Sequence, residues 1–209
     1  MLSPLLRLAA LVAGRESAWE RVTIRVPPSV FGPGSRQPFA EYFEGVSGVR
    51  VQSIDDIVAW LQTCEYVSDL EQFQERDVWQ HPGAFEERRR GDCEDFALWA
   101  WRKLAEIGVD AELCVGRVIC ADQPEVDRQH AWVVYRANGT EFLFEPAART
   151  RSRMIRPLTD AMAEYVPYFA VNHRFETNAF VGCASDSYRR ISSPGAGHGA
   201  GSSRRSAQA

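Results

Sequence analysis

The run Arg88-Arg89-Arg90-Gly91-Asp92-Cys93-Glu94-Asp95-Phe96-Ala97 holds the residue types best suited to chemistry. Gly91 allows a tight turn and Asp92 is a good helix N-cap. An apolar face follows through Phe96, Ala97, Ala100, Leu104 and Ile107, with Gly108 as a stop. The spacing predicts a helix over 94–107 with Cys93 in its first turn. A thiol there meets unpaired backbone N–H groups and the positive end of the helix dipole. Both favour the thiolate, the form that attacks a carbonyl carbon. The flanking Asp92, Glu94 and Asp95 oppose this by raising the thiol pKa. A reactive Cys93 therefore needs positive charge nearby, from a histidinium or a bound divalent cation. The alternative for such a cysteine is packing as a small hydrophobe.

A base can come from a hairpin. Asn138-Gly139 is the strongest short hairpin signal a sequence carries. A two-residue loop there pairs Ala137 with Thr140, Tyr135 with Phe142, Val133 with Phe144 and Trp132 with Glu145. His130 points the same way as Trp132, so Glu145 is its diagonal neighbour, roughly 7–8 Å away at Cα and within side-chain reach. The other face, with Ala131, Val133, Tyr135, Phe142 and Phe144, belongs in a core. The register thus offers a nucleophile, a base and a carboxylate to orient the base. For an oxyanion donor the candidates are the Cys93 backbone N–H and the side chains of Gln80 and Trp79. Trp79 reads equally as a core aromatic, and Gln80 as a solvated loop residue.

The positioning elements follow from pattern. VTIRV at 22–26 alternates as a strand, and Phe31 to Pro38 is Gly- and Pro-rich loop. Ser53 with Asp56 forms a capping box before a helical stripe through Ile57, Trp60, Leu61, Cys64 and Val67, with Cys64 on the core side. Glu71 to Arg90 reads as loop or broken helix. Strands are expected over 111–119, 131–136 and 140–145. Met154 to Phe180, with Tyr165, Tyr168, Phe169 and Phe175, reads as further core, a wall of the cleft or a partner surface. The order of helices and then antiparallel strands is an α+β arrangement, with the helix bearing the nucleophile packed on the sheet.

GDCEDFA at 91–97, HAWVVY at 130–135 and FLFEPAA at 142–148 together resemble the bacterial transglutaminase-like cysteine peptidase group. The likeness runs from about Trp79 to Pro146. It implies a papain-like fold within the transglutaminase-like superfamily. It also implies thiol-dependent acyl transfer on a peptide or protein substrate, with Cys93 as nucleophile, His130 as general base and acid, and Glu145 as the orienting carboxylate. The third position in the group is usually Asp, one methylene shorter. In a periplasmic branch the acids flanking the cysteine bind calcium, which by position implies Asp92 and Glu94 here. The competing expectation is that Arg88, Arg89 or Arg90 neutralises those acids.

The chain has 209 residues, of which 45% are hydrophobic, 11% aromatic and 25% charged, with a net charge of −4. This suits a soluble domain able to bury roughly 70% of its unfolded surface, and gives no electrostatic reason for a nucleic-acid partner. The five cysteines, at 64, 93, 114, 120 and 183, form no Cys-x-x-Cys pair, so neither a disulfide framework nor a structural zinc site is encoded. Residues 1–14 form a short apolar segment interrupted by Arg7, residues 15–184 the domain, and 185–209 a disordered Ser/Gly-rich tail. No run is long enough to span a membrane. The expected location is cytoplasmic, or periplasmic if the first segment acts as a signal. Two other classes stay open: a catalytically inactive binding module on the same fold, and a calcium-binding or regulatory protein in which the acids are the purpose and Cys93 is incidental.

Overall fold

Two capping devices set the helices around Cys93. In the first, Ser53 Oγ accepts the N–H of Asp56 (3.2 Å) and the Asp56 carboxylate accepts the N–H of Ser53 (3.0 Å), opening helix α1 (Ile54–Leu61). In the second, Asp95 takes the N–H of Asp92 (3.3 Å) at the start of helix α4 (Cys93–Glu106). The computed structural model describes residues 20–23, 35, 37–120 and 123–181. For 20–23, 120, 123–128 and 181 it gives the backbone alone. The expected apolar segment at 1–14, the tail at 185–209, most of the 31–38 loop and the second half of the 22–26 strand lie outside the described residues.

Between the two devices come strand β2 (Glu65–Tyr66), the short helices α2 (Asp69–Phe73) and α3 (Pro82–Arg88), and strand β3 (Arg90–Gly91). The stretch expected as loop or broken helix thus contains two short helices. Pro82 opens α3 at its first position, and His81 caps it by accepting the N–H of Gly83 on Nδ1 (3.0 Å). Helix α1 ends at Leu61, sooner than the stripe to Val67 suggested, although Cys64 and Val67 are buried as expected.

The remaining chain forms β4 (Ala111–Cys120), β5 (Gln123–Ala137), β6 (Thr140–Phe144), helix α5 (Arg151–Met154), β7 (Ile155–Pro157), helix α6 (Leu158–Ala161), β8 (Tyr165–Asn172) and β9 (Thr177–Val181). With β1 (Glu20–Thr23) they make a seven-stranded sheet in the order β1-β9-β8-β4-β5-β6-β7, every pairing antiparallel. The hairpin register is the one read from Asn138-Gly139: Ala137 faces Thr140, Tyr135 faces Phe142 and Val133 faces Phe144. Pairing stops at Phe144, so Glu145 lies one residue beyond the strand.

Helix α4 is buried nearly all round. Phe96, Ala97, Leu98, Trp99, Ala100, Trp101 and Leu104 share one core with Ala131, Val133, Tyr135 and Phe144 of the sheet. Trp60 of α1 stacks on Trp99 (3.9 Å), and Phe85 of α3 packs on Phe96 (4.9 Å). The helix is therefore wedged between the sheet and the smaller helices, which explains why its apolar positions exceed one face. The opposite sheet face is buried too: Cys114, Trp132, Val134, Leu143, Tyr165, Ala170 and Phe180 form a second cluster. Strands β8 and β9 contribute to both clusters, with Val166, Tyr168, Phe169, Val171 and Ala179 in the first and Tyr165, Ala170 and Phe180 in the second, so much of the 154–180 segment is core. Among the described residues no helix is long and apolar enough to cross a membrane.

Candidate active site

Strand, turn and helix place Cys93. Glu65 pairs with Arg90 and Tyr66 with Gly91 in the parallel β2–β3 ladder, and Val67 N–H donates to the Gly91 carbonyl (2.8 Å). A Cβ at position 91 would run into the Asp95 carboxylate, so only glycine fits there. Asp95 is the anchor of the turn. Its Oδ1 accepts the Gln80 backbone N–H (2.8 Å), and its Oδ2 accepts Gln80 Nε2 (2.5 Å) as well as the Asp92 N–H. The helix then begins at Cys93 itself, which puts the thiol-bearing residue in the first turn.

His130 comes from β5, opposite Gly116 of β4. Its Nε2 lies 2.6 Å from Glu145 Oε2. A carboxylate only accepts, so Nε2 is the donor, and in the neutral imidazole this tautomer makes Nδ1 the acceptor. Glu145 is buried and bonded at both oxygens: Oε2 also accepts the Tyr165 hydroxyl (3.0 Å) and Oε1 accepts the Ala147 N–H (3.2 Å). The expected diagonal contact thus exists, reached from just past the strand end.

Cys93 and His130 line one open cleft of about 400 Å³, with Tyr66, Arg76, Asp77, Trp79, Asp92, Glu94, Val115, Gln129 and Ala131. The thiol donates to Glu94 Oε2 (3.2 Å), and the Ala131 N–H, next to His130, points at the sulfur. Burial, then the Glu94 and Asp92 carboxylates, push the Cys93 thiol well above its usual range, while the Ala131 N–H works the other way. Glu94 is itself held well above the carboxylate range by burial and by Asp92, and burial also raises Asp69. Burial brings Asp95 up to about 8.

This crowding extends beyond the two acids read from the sequence. Asp92, Cys93 and Glu94 bring ligand atoms within 4.8 Å of one another, as do Asp69, Asp92 and Asp95, and Asp69, Asp77 and Glu94. Asp69 Oδ1 and Asp92 Oδ1 are buried without a hydrogen-bond partner. The arginines expected as the alternative neutralisers are spent elsewhere. Arg88 donates to Gln80 Oε1 (3.0 Å), Arg89 lies over the Trp60 ring (5.8 Å) and Arg90 pairs with Glu65 (3.0 Å).

The two side-chain oxyanion candidates are corrected. Gln80 is buried, not solvated, and its amide protons go to Asp95 and the Arg90 carbonyl (2.9 Å). Trp79 lines the cleft, but its indole N–H donates to Asp77 Oδ1 (2.8 Å). The Cys93 backbone N–H, at the first helical position, needs no partner within the helix, and Cys93 lines the cleft. Two residues were invisible in sequence terms. Asp69 gives no local signal because its role comes from packing α2 against the α4 N-terminus. Tyr165 reads from sequence as further core, cleft wall or partner surface, because nothing in its own stretch points to Glu145.

Solved structures similar to this chain include Legionella pneumophila LapG, 16% identical over 75% of this chain and 76% of that one, with a TM-score of 0.46. The calcium-bound form of the same protein is 14% identical over 73% and 87%, with a TM-score of 0.47. No curated protein matches the chain. Residues 45–170 match the bacterial transglutaminase-like cysteine proteinases as a family, a span that contains Cys93, His130 and Glu145. The chain belongs to the bacterial transglutaminase-like cysteine proteinase family (BTLCP).

Proposed function

We propose that Cys93, His130 and Glu145 form the triad with which this cysteine peptidase hydrolyses a peptide bond of a protein substrate. The observation that carries the reading is one cleft lined by a thiol at a helix N-terminus and by an imidazole fixed at 2.6 Å by a buried carboxylate. Glu145 holds the Nε2–H tautomer, and Nδ1 takes the thiol proton. The Cys93 sulfur forms a bond to the substrate carbonyl carbon, and the π pair moves to oxygen, where the Cys93 backbone N–H opposes the charge. The pair returns, the C–N bond breaks, and Nδ1–H gives its proton to the leaving amine. Water then adds to the thioester as Nδ1 removes its proton, and the thiolate leaves as the carboxylate product departs. An amine in place of water would give transamidation through the same acyl-enzyme.

Calcium belongs to this reading. Asp92 and Glu94, with Asp69 and Asp77, would hold it. The fit rests on hard carboxylate oxygens and on the two buried, unpartnered oxygens of Asp69 and Asp92. Bound there, the ion supplies positive charge that offsets the acids raising the Cys93 pKa.

The test is incubation with a complex peptide library in millimolar calcium, reading new termini by mass spectrometry. New termini that vanish in Cys93→Ala and in His130→Ala support the reading. Incorporation of a labelled amine instead identifies transamidation. Termini that persist in Cys93→Ala contradict it.

A further inference from the structure

We propose that Tyr165 is a positioning residue of this peptidase, its hydroxyl locking Glu145 so that His130 presents Nδ1 to Cys93. This rests on the triad reading above and extends it to a fourth side chain. A glutamate has one more torsion than the aspartate usual at this position, so it needs more restraint to aim one oxygen at an imidazole. The structure supplies that restraint from two sides: the Ala147 N–H holds Oε1, and the Tyr165 hydroxyl holds Oε2, the same oxygen that His130 meets.

Tyr165 is itself held tightly. Its backbone pairs with Val118 at the start of β8, and Trp132 packs against its ring edge-on at 5.3 Å. The Arg156 guanidinium covers the ring at 5.6 Å and is fixed by Glu164 at 2.8 Å. The His130 ring lies 6.2 Å from the same tyrosine. This packing leaves the phenol little freedom, and its hydroxyl sits between the Glu145 carboxylate and the Arg156 guanidinium. Tyr168, three residues along the strand, gives the contrast, since it is also buried but its hydroxyl has no hydrogen-bond partner.

Two readouts test this on the whole 209-residue chain in millimolar calcium. The first is the rate of Cys93 alkylation by iodoacetamide at one fixed pH. Tyr165→Phe keeps the ring and removes only the oxygen, and should slow the reaction about tenfold, the effect of one buried hydrogen bond. In a Glu145→Gln background the same change should cost nothing more, because Tyr165 acts only through Glu145. Tyr168→Phe should leave the rate unchanged. The second readout is the proton NMR signal of the His130 Nε2–H, assigned by its absence in His130→Ala. It should be visible in the wild type and in Tyr168→Phe, and lost to solvent exchange in Tyr165→Phe.

An unchanged rate and signal in Tyr165→Phe, or equal losses with and without Glu145, would overturn the proposal. If His130→Ala leaves alkylation unchanged, the triad reading fails. If His130→Ala slows alkylation and Tyr165→Phe does not, the triad stands and only the role of Tyr165 fails.

Discussion

Glu145 meets His130 with 2.6 Å between Oε2 and Nε2, although the strand pairing has already ended at Phe144. The extra methylene of glutamate lets the carboxylate reach the imidazole from there while its other oxygen takes the Ala147 N–H. Glu145→Ala should lower peptidase turnover by roughly 10²- to 10⁴-fold, the range seen when the orienting member of a triad is lost. Glu145→Asp should recover only part of this, because the shorter side chain must give up either His130 or Ala147. Steady-state kinetics on a peptide identified in the library experiment would check both.

The acids around Cys93 predict an inverted mutational effect. Because the Glu94 and Asp92 carboxylates raise the thiol pKa, Glu94→Gln should speed alkylation of Cys93 in EGTA at alkaline pH, where Glu94 has lost the proton that burial makes it hold. The same variant should lose the acceleration that calcium gives the wild type. Parallel alkylation series with and without calcium would show it, and a slower apo variant would contradict the electrostatic account.

Stability should fall as pH rises in the absence of divalent cations. Asp95, brought up to about 8, and Asp69 and Glu94, also raised, bind protons more tightly folded than unfolded. Their contribution is full below about pH 4, the unfolded carboxylate range, and is lost as pH climbs through their folded values. Glu86, with its pKa lowered, acts in the opposite sense but only at more acidic pH. Urea denaturation in EGTA at pH 5 and pH 8 should therefore give the higher stability at pH 5, and calcium should flatten the difference.

Asp95 is predicted to matter for the fold itself. Asp95→Ala strands the Gln80 N–H, one Gln80 amide proton and the Asp92 N–H, all in or beside the core. The expected cost is about 3 kcal/mol, since each buried donor left unpaired carries its own desolvation penalty. A loss near zero in a denaturation experiment would mean that these groups find water.

Gly116 is a further structural test. A Cβ there would strike the Val166 carbonyl oxygen and come within 2.8 Å of the Trp132 ring. Gly116→Ala should destabilise by about 1–3 kcal/mol, typical of overpacking. It should also disturb His130, which faces position 116 across the ladder. Thermal melts and the His130 imidazole signal would report the two effects separately.

The parts of the site written in local chemistry were legible before the structure. Gly91, Asp92 and the following apolar run located Cys93 at a helix start, and Asn138-Gly139 fixed a register that brings Glu145 to His130. What stayed hidden depends on packing between distant segments. Asp69 reaches the acidic cluster only because α2 folds against the α4 N-terminus. Tyr165 reaches Glu145 only because β8 lies along β4, an antiparallel pairing with no turn signal joining them. Gln80 was misread for a related reason: a polar residue in a polar stretch looks solvated until the carboxylate it serves, fifteen residues on, is seen beside it.

The most direct test of the central claim is the rate of Cys93 alkylation by iodoacetamide across pH, in millimolar calcium, for the wild type and His130→Ala. The account predicts an apparent thiol pKa well below the roughly 8.5 of a free cysteine, moving upward when the imidazole is removed. A Cys93 that titrates as an ordinary thiol in calcium, with no change in His130→Ala, would contradict it.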